Sequence, residues 1–159
     1  MGSERRPLDP AERAAAVAWY DRWLEAWTLQ DPDLIKPLVT DDFVLESPTT
    51  RHTGWVVVGP DQARDYLAYV KRAYPDVAWE RTLPPMFAED EPRVAFWWRG
   101  WGTFTGVLDP PGIRGTGRPF TFEGIEVFDF RDGRATRLRA AYDLHGLMKQ
   151  VGVARSVNA

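Results

Sequence analysis

The chain has 159 residues, which predicts a single domain spanning 1–159. Hydrophobic residues make up 44% and charged residues 27%, as in folded globular proteins. The formal charge of −3 leaves no basic surface for phosphate backbones, so we expect no nucleic-acid partner. Cysteine is absent, which excludes disulfides, thiolate metal sites and a cysteine nucleophile. No apolar run approaches the ~18 residues of a membrane span and no signal-peptide pattern is present. We therefore expect a cytoplasmic protein with no membrane partner.

Aromatic residues are unusually frequent, with 8 Trp, 8 Phe and 5 Tyr. A single domain with this composition has either a bulky aromatic core or a cavity lined by rings. Composition alone leaves both alternatives open.

Helices are predicted in the first half of the chain. Asp9-Pro10-Ala11-Glu12 combines an N-cap, a proline at the first helical position and the glutamate of a capping box, so a helix is expected through Leu29. Two further helices are predicted over 32–38 and from Pro60 to the residue before Pro75. A short strand over 42–46 lies between them, followed by residues 49–58, which we expect to be irregular. Residues 1–8 are expected to be disordered.

Strands are predicted in the second half, over 77–83, 93–105, 120–130 and 135–142. The sequence Arg131-Asp132-Gly133-Arg134 is typical of a tight hairpin turn. The Gly- and Pro-rich segment 107–119 is long for a hairpin, which makes it a candidate lid. Asp143 is expected to cap a last helix over 144–151, and 153–159 to form a tail. Helices followed by antiparallel strands predict an α+β fold.

Residues two apart in a strand share a face of the sheet. In 120–130 the even positions are aromatic except for Gly124 and Glu126, and in 93–105 they bring Trp98 beside Gly100 and Gly102. Such small residues beside large rings leave space that something must fill. Tryptophans of the first helix and a bound ligand are the two alternatives, and the pattern does not choose between them.

Several short motifs resemble the SnoaL-like polyketide cyclases, within the superfamily named after nuclear transport factor 2. The resemblance spans residues 12–153. The motifs are Thr40-Asp41-Asp42-Phe43, Gly59, 73–77, 102–106, Asp132-Gly133-Arg134 and 142–152. The resemblance implies a cone-shaped, curled antiparallel sheet wrapped by three N-terminal helices, with a central apolar pocket. Because this fold hosts many chemistries, it does not by itself set the function.

The resemblance also implies a homodimer through the outer face of the sheet. Trp97 and Trp101 occupy odd positions on that face, where a monomer would expose them. Large apolar residues repeated on an outward strand are typical of an interface.

None of the related catalytic sets is complete in this chain. The position of the aldol cyclases' aspartate holds Ala140, and that of their pocket histidine holds Glu126. The base of ketosteroid isomerases aligns with Ser47, their oxyanion-hole aspartate with Glu126 and their tyrosine with the region of Arg22. The catalytic positions of limonene epoxide hydrolases align with Trp98, Gly100 and Ala140.

Glu126 is therefore the first candidate for catalysis. A carboxyl on an aromatic inner face is desolvated, which raises its pKa and suits it to general acid or base work. The alternative is a glutamate paired with Arg22 that only satisfies a charge. Tyr142 lies on the same face and is the second catalytic candidate, as a donor to a carbonyl or enolate. Its alternative is an ordinary core tyrosine.

The residues expected to line the substrate pocket are Trp98, Phe104, Phe122, Trp23, Tyr66, Arg22 and His52. Phe96 and Phe128 are expected in the core. His52 has a solvated surface alternative, and His145 is expected to be external. The two histidines lack the spacing of a zinc motif, so no metal site is predicted.

The leading hypothesis is a cofactor-independent cyclase or isomerase acting on an apolar, polyketide-like small molecule. Two mechanisms stay open: acid/base assistance by Glu126, and ring closure driven by the shape of the pocket. A non-catalytic carrier of a hydrophobic ligand is the rival from another class. A third alternative is a dimerisation module whose cavity is packed solid.

Overall fold

The computed structural model describes residues 5–29 and 31–154. Four α-helices and a 3₁₀-helix at Pro32–Leu38 surround the sheet. The α-helices are α1 (Pro10–Thr28), α2 (Pro48–Thr53), α3 (Gly59–Ala73) and α4 (Leu144–Gln150). The strands are β1 (Val39–Glu46), β2 (Val57–Val58), β3 (Ala78–Arg81), β4 (Met86–Phe87), β5 (Arg93–Thr103), β6 (Val107–Leu108), β7 (Ile113–Arg114), β8 (Pro119–Arg131) and β9 (Arg134–Tyr142). The predicted α+β class is confirmed.

The main sheet is curled and open, in the order β2-β1-β9-β8-β5-β3, with β4 pairing a further stretch of β5. The hairpin between β8 and β9 turns through Asp132 and Gly133, both at positive φ, as the turn sequence predicts. One pair departs from the expected antiparallel arrangement, because β1 runs parallel to β9. The connection from the end of β1 to the start of β9 is long, since it includes all the other strands of the sheet. Connections of this length permit parallel pairing.

Helix α1 begins where the sequence predicts. The Asp9 carboxylate accepts from the backbone N–H of Glu12 at 2.8 Å, and the Glu12 carboxylate accepts from that of Asp9 at 3.1 Å. Leu8, which was expected in a disordered segment, is instead buried in the core. Residues 1–4 and 155–159 of the two predicted tails lie outside the described residues.

The segment 49–58 is not irregular as predicted, since it contains α2 and then β2. Ser47 caps α2: its hydroxyl accepts from the N–H of Thr50 at 3.1 Å, and the Thr50 hydroxyl accepts from the N–H of Ser47 at 2.9 Å. This is a capping box with threonine where glutamate or glutamine is usual. The weaker signal explains why the sequence did not predict the helix.

The predicted lid, 107–119, contains a small hairpin of β6 and β7. It is tied to the end of α3, because the N–H of Gly106 donates to the carbonyl of Ala73 at 3.0 Å and the Arg72 guanidinium donates to that of Asp109 at 3.0 Å. Within this segment, the side chain of Leu108 is buried.

Even-numbered residues of β5 and β8 face inward, as the alternation predicts, and Phe96 and Phe128 are fully buried core residues. Trp19 of α1 packs edge-on against Phe128, with ring centroids 4.8 Å apart. Tryptophans of α1 therefore fill one end of the inner face.

The space at Gly100 is filled by neither predicted occupant. A Cβ added there would lie 2.7 Å from the ring of Trp79 and 2.9 Å from that of Phe122. Trp79 belongs to β3, which pairs with β5 at this position. A ring from the adjacent strand therefore occupies the gap.

We expect Gly100→Ala to lower the free energy of unfolding by about 1–3 kcal/mol, because the new methyl group overpacks the Trp79 ring. In a Trp79→Leu background the same substitution should cost less, since the ring of Phe122 alone then lies close to the new methyl group. Urea unfolding of the four proteins in this double-mutant cycle measures both values. An equal cost in the two backgrounds would contradict the packing argument.

Candidate functional site

A cavity of about 620 Å³ lies between the inner face of the sheet and helices α2, α3 and α4. This volume is within the range of roughly 300–1,000 Å³ found for small-molecule sites. Nine aromatic residues line it, including Trp79, Trp98 and Phe122. Among the described residues of its wall, Glu126 supplies the sole carboxyl, and neither lysine nor arginine is present.

Glu126 lies on β8, in register between Phe96 of β5 and Ala140 of β9. The Tyr20 hydroxyl donates to its Oε1 at 2.8 Å, and the Trp23 indole N–H donates to its Oε2 at 3.1 Å. Both donors are neutral side chains of α1. They lie three residues apart on one helix face, so one turn of α1 holds both carboxyl oxygens.

Arg22 is not the partner of Glu126, nor does it line the cavity. Its side chain is exposed and borders a surface groove with Asp42 and Arg131. Since Tyr20 and Trp23 face inward, the intervening Arg22 faces outward on the helix. No ion pair to Glu126 is present among the described residues.

Burial raises the pKa of Glu126 to about 7, although the hydrogen bonds from Tyr20 and Trp23 lower it. Near neutral pH the carboxyl therefore populates both protonation states. Burial first, and the neighbouring Glu126 second, raise the pKa of Tyr20. The Tyr20 hydroxyl consequently remains a donor wherever Glu126 titrates.

Four hydroxyl side chains, which we call the hydroxyl cluster, form a second polar region of the wall: Ser47, Thr49, Tyr66 and Tyr142. The hydroxyl oxygens of Ser47 and Tyr66 are 3.0 Å apart, and those of Thr49 and Tyr142 are 2.5 Å apart. The structure thus places Tyr142 in the cavity wall with Glu126. Ser47 and Thr49 were not predicted as site residues, and their place follows from the unpredicted helix α2.

The predicted lining residues divide into two groups. Trp98, Phe122, Tyr66 and His52 line the cavity. Trp23 lies behind Glu126, fully buried. Phe104 was also expected in the lining, but it packs against Tyr74 in a separate core cluster, with ring centroids 5.6 Å apart.

The end of the cavity near α4 carries both histidines of the chain, His52 and His145, each exposed to solvent. His145 is therefore external, as predicted, but it also borders the cavity. Helix α4 begins at the predicted cap, where the Asp143 carboxylate accepts from the N–H of Gly146 at 2.9 Å. Gln150 fixes its other end by hydrogen bonds of 2.9 and 3.0 Å with the backbone of Thr121.

The outer face of the sheet holds Trp97 and Trp101. Trp101 is 38% exposed, with the Arg99 guanidinium 5.2 Å from its ring centroid. Trp97 is half-buried and its indole N–H donates to Glu123 at 3.4 Å. The homodimer through this face stays a prediction.

Within residues 5–29 and 31–154, no three His, Asp or Glu side chains are grouped so that they could hold a metal ion. The helices of the same ranges include none with the length and apolar character to cross a membrane.

No curated protein matches the sequence significantly. Solved structures with the same fold include a protein of ketosteroid isomerase-like fold from Catenulispora acidiphila, in complex with trimethylamine. It is 19% identical, with 86% of this chain and 93% of that chain covered and a TM-score of 0.68. A phenazine biosynthesis-related protein from Pseudomonas aeruginosa is 17% identical, with coverages of 92% and 90% and a TM-score of 0.71. TsrD from Streptomyces laurentii is 20% identical, with coverages of 92% and 99% and a TM-score of 0.74.

At these identities the structural likeness establishes the fold. The family follows from the sequence, because the profile of the SnoaL-like domain matches residues 20–138. The match includes Tyr20 and Trp23 of α1 together with Glu126, and it covers well over half of the chain. The chain therefore belongs to the SnoaL-like domain family, whose polyketide cyclases the sequence motifs resemble.

Proposed function

We propose that this protein is a cofactor-independent cyclase or isomerase acting on an apolar, polyketide-like small molecule, with Glu126 as its general acid and base. One observation carries the proposal. A single carboxyl lies in the wall of an aromatic cavity of about 620 Å³, with a pKa of about 7. A group that titrates near the working pH is suited to move protons in both directions.

The proposed step is proton transfer at a carbon next to a carbonyl group. The Glu126 carboxylate takes the proton, and the electrons of the C–H bond move to the carbonyl oxygen to give an enolate. Where a C=C bond is conjugated with the enolate, the neutral carboxylic acid returns the proton to the far carbon of the conjugated system, which shifts the double bond and completes an isomerisation. In a cyclisation the enolate carbon first attacks a second carbonyl, and the acid protonates the alkoxide that forms. Both routes leave Glu126 in its starting state.

Compared with the aldol cyclases, this chain carries its cavity carboxyl on the neighbouring strand of the sheet. Their aspartate aligns with Ala140, which pairs directly with Glu126 across β8 and β9. Directly opposed residues have Cβ atoms about 4.5–5.5 Å apart, so the two positions reach the same region of the cavity. The short side chain of Ala140 also leaves the carboxyl uncovered on that side.

The other hypotheses differ in what they require of the cavity. A solid dimerisation module is disfavoured by a cavity of this size. Ring closure driven by shape requires the aromatic walls but no carboxyl. A hydrophobic carrier requires neither proton transfer nor a titrating group. The effect of substituting Glu126 therefore distinguishes these hypotheses.

We expect the protein to accelerate exchange of the α-protons of 2-tetralone, a small enolisable ketone, in D₂O. The rate should rise with pH around an apparent pKa of about 7, because the base must be ionised. Glu126→Gln should lower the rate by about 10²–10⁴-fold, the usual contribution of a general base. Proton NMR of the ketone measures the exchange.

Glu123→Gln is the matched control, since Glu123 is an exposed residue on the outer face of the same strand. It should exchange at the wild-type rate. Binding of 2-tetralone without exchange would favour the carrier. Exchange that survives Glu126→Gln but is lost in Trp98→Ala would refute acid/base chemistry and favour control by shape.

The pH dependence of the unfolding free energy should reveal the raised pKa of Glu126 without any substrate. Because burial raises the pKa of Glu126 from 4.5 to about 7, the folded state holds its proton more tightly than the unfolded state. The contribution of Glu126 to stability is thus present below about pH 4.5 and lost as pH rises to about 7. Relative to Glu126→Gln, the wild type should lose about 3 kcal/mol of unfolding free energy between pH 4 and pH 8.5.

Urea unfolding of both proteins across this pH range measures the difference. The Glu123→Gln protein again serves as the control and should follow the wild-type curve. A constant difference between wild type and Glu126→Gln would mean that the carboxyl titrates at its ordinary pKa.

A further inference from the structure

The hydroxyl cluster places four O–H donors in the wall of the cavity. Ser47, Thr49, Tyr66 and Tyr142 carry one O–H proton each. The Ser47–Tyr66 bond uses one of these protons, and the Thr49–Tyr142 bond uses another. Tyr66 also lies within hydrogen-bonding reach of Tyr142 and Thr49, so the four hydroxyls form one group. Because hydroxyls rotate, an O–H group can turn from a partner inside the group to an acceptor in the cavity.

The cluster lies on the same wall as Glu126. Glu126 pairs with Ala140 across the two strands, and Tyr142 is two residues further along β9, on the same face. Strand residues two apart are separated by about 7 Å. A ligand the size of one or two fused rings can therefore contact the carboxyl and the cluster together.

The chemistry of the wall selects the kind of oxygen that the cluster binds. No lysine or arginine is among the described lining residues, and the two lining histidines, His52 and His145, are exposed to solvent, so a carboxylate or phosphate at the cluster would be buried without a buried counter-charge. Burial first, and nearby Tyr142 second, raise the pKa of Tyr66 well above its ordinary value, so this hydroxyl stays protonated wherever Glu126 titrates. A neutral carbonyl oxygen matches such donors, and they also stabilise the enolate that forms from it.

We infer that the hydroxyl cluster binds the carbonyl oxygen of the substrate, which is therefore a neutral ketone with its acidic C–H group directed toward Glu126. This inference rests on the proposed function, and it assigns the oxygen-binding role to Ser47, Thr49, Tyr66 and Tyr142. Tyr142 lies at the centre of it, because it contacts Thr49 and shares a strand face with Ala140, the residue paired with Glu126.

The test compares 1-tetralone with tetralin, two probes with the same ring skeleton that differ by one carbonyl oxygen. Binding is measured by titration calorimetry at pH 8.5, where Glu126 is largely ionised and cannot donate. The quantity of interest is the preference, defined as the Kd of tetralin divided by that of 1-tetralone. We expect Tyr142→Phe to lower this preference about tenfold, the worth of one net hydrogen bond. The affinity for tetralin should change less than twofold.

Phe122→Leu is the control, because Phe122 lines the same wall without a hydroxyl and should alter both affinities together. Thr49→Val serves as a second variant, since it removes the partner of Tyr142 while keeping a β-branched side chain. Thermal unfolding verifies that each variant is folded.

An unchanged preference in both Tyr142→Phe and Thr49→Val would overturn the inference, and so would failure of both probes to bind. None of these results bears on the deuterium exchange assay, in which Glu126 is tested separately.

Discussion

The burial of one carboxyl among aromatic rings is the constraint on which the site depends. An isolated charge in such surroundings is costly unless hydrogen bonds compensate it. Here the compensation comes from Tyr20 and Trp23, whose O–H and N–H groups reach the two oxygens of Glu126. The rings of both residues also pack in the core, Tyr20 stacking on Phe96 at 3.8 Å. The same two side chains therefore fix α1 on the sheet and set the ionisation of Glu126.

The cavity exists because side-chain size varies along the strands, where large rings lie next to glycine and alanine. Trp98 packs edge-on against Trp79 and Phe122, with both centroid distances at 4.9 Å. This arrangement requires glycine at positions 100 and 124, since a Cβ at either would lie within 3 Å of one of these rings. The rings thus gather over the glycines, and the space beside Ala140 stays open in front of Glu126. A wall built in this way keeps its shape without polar contacts.

Sequence periodicity was sufficient to predict the inner face of β5 and β8, and with it Glu126, because alternation in a strand is unambiguous. On α1 the alignment with the ketosteroid isomerase tyrosine was misleading, because it placed Arg22 in the pocket. On a helix a shift of one position turns a side chain by about 100°, and Tyr20 and Trp23 take the inner face instead. Tyr66 and Tyr142 were predicted in the pocket, but their contacts with Ser47 and Thr49 were beyond sequence reasoning for another reason. Thr49 and Tyr142 are 93 residues apart, and only the fold brings them together.

The two polar regions of the cavity respond differently to pH, and the proposed proton transfer depends on this difference. Glu126 changes its ionisation near pH 7, while the raised pKa values of Tyr20 and Tyr66 keep those hydroxyls protonated there. Proton transfer at carbon requires a base whose ionisation changes near the working pH. It also requires nearby donors that stay protonated at that pH. The carboxylate also accepts one hydrogen bond on each of its two oxygens, whereas glutamine has a single terminal oxygen to accept them. The carboxyl therefore serves the packing of α1 as well as the proposed proton exchange.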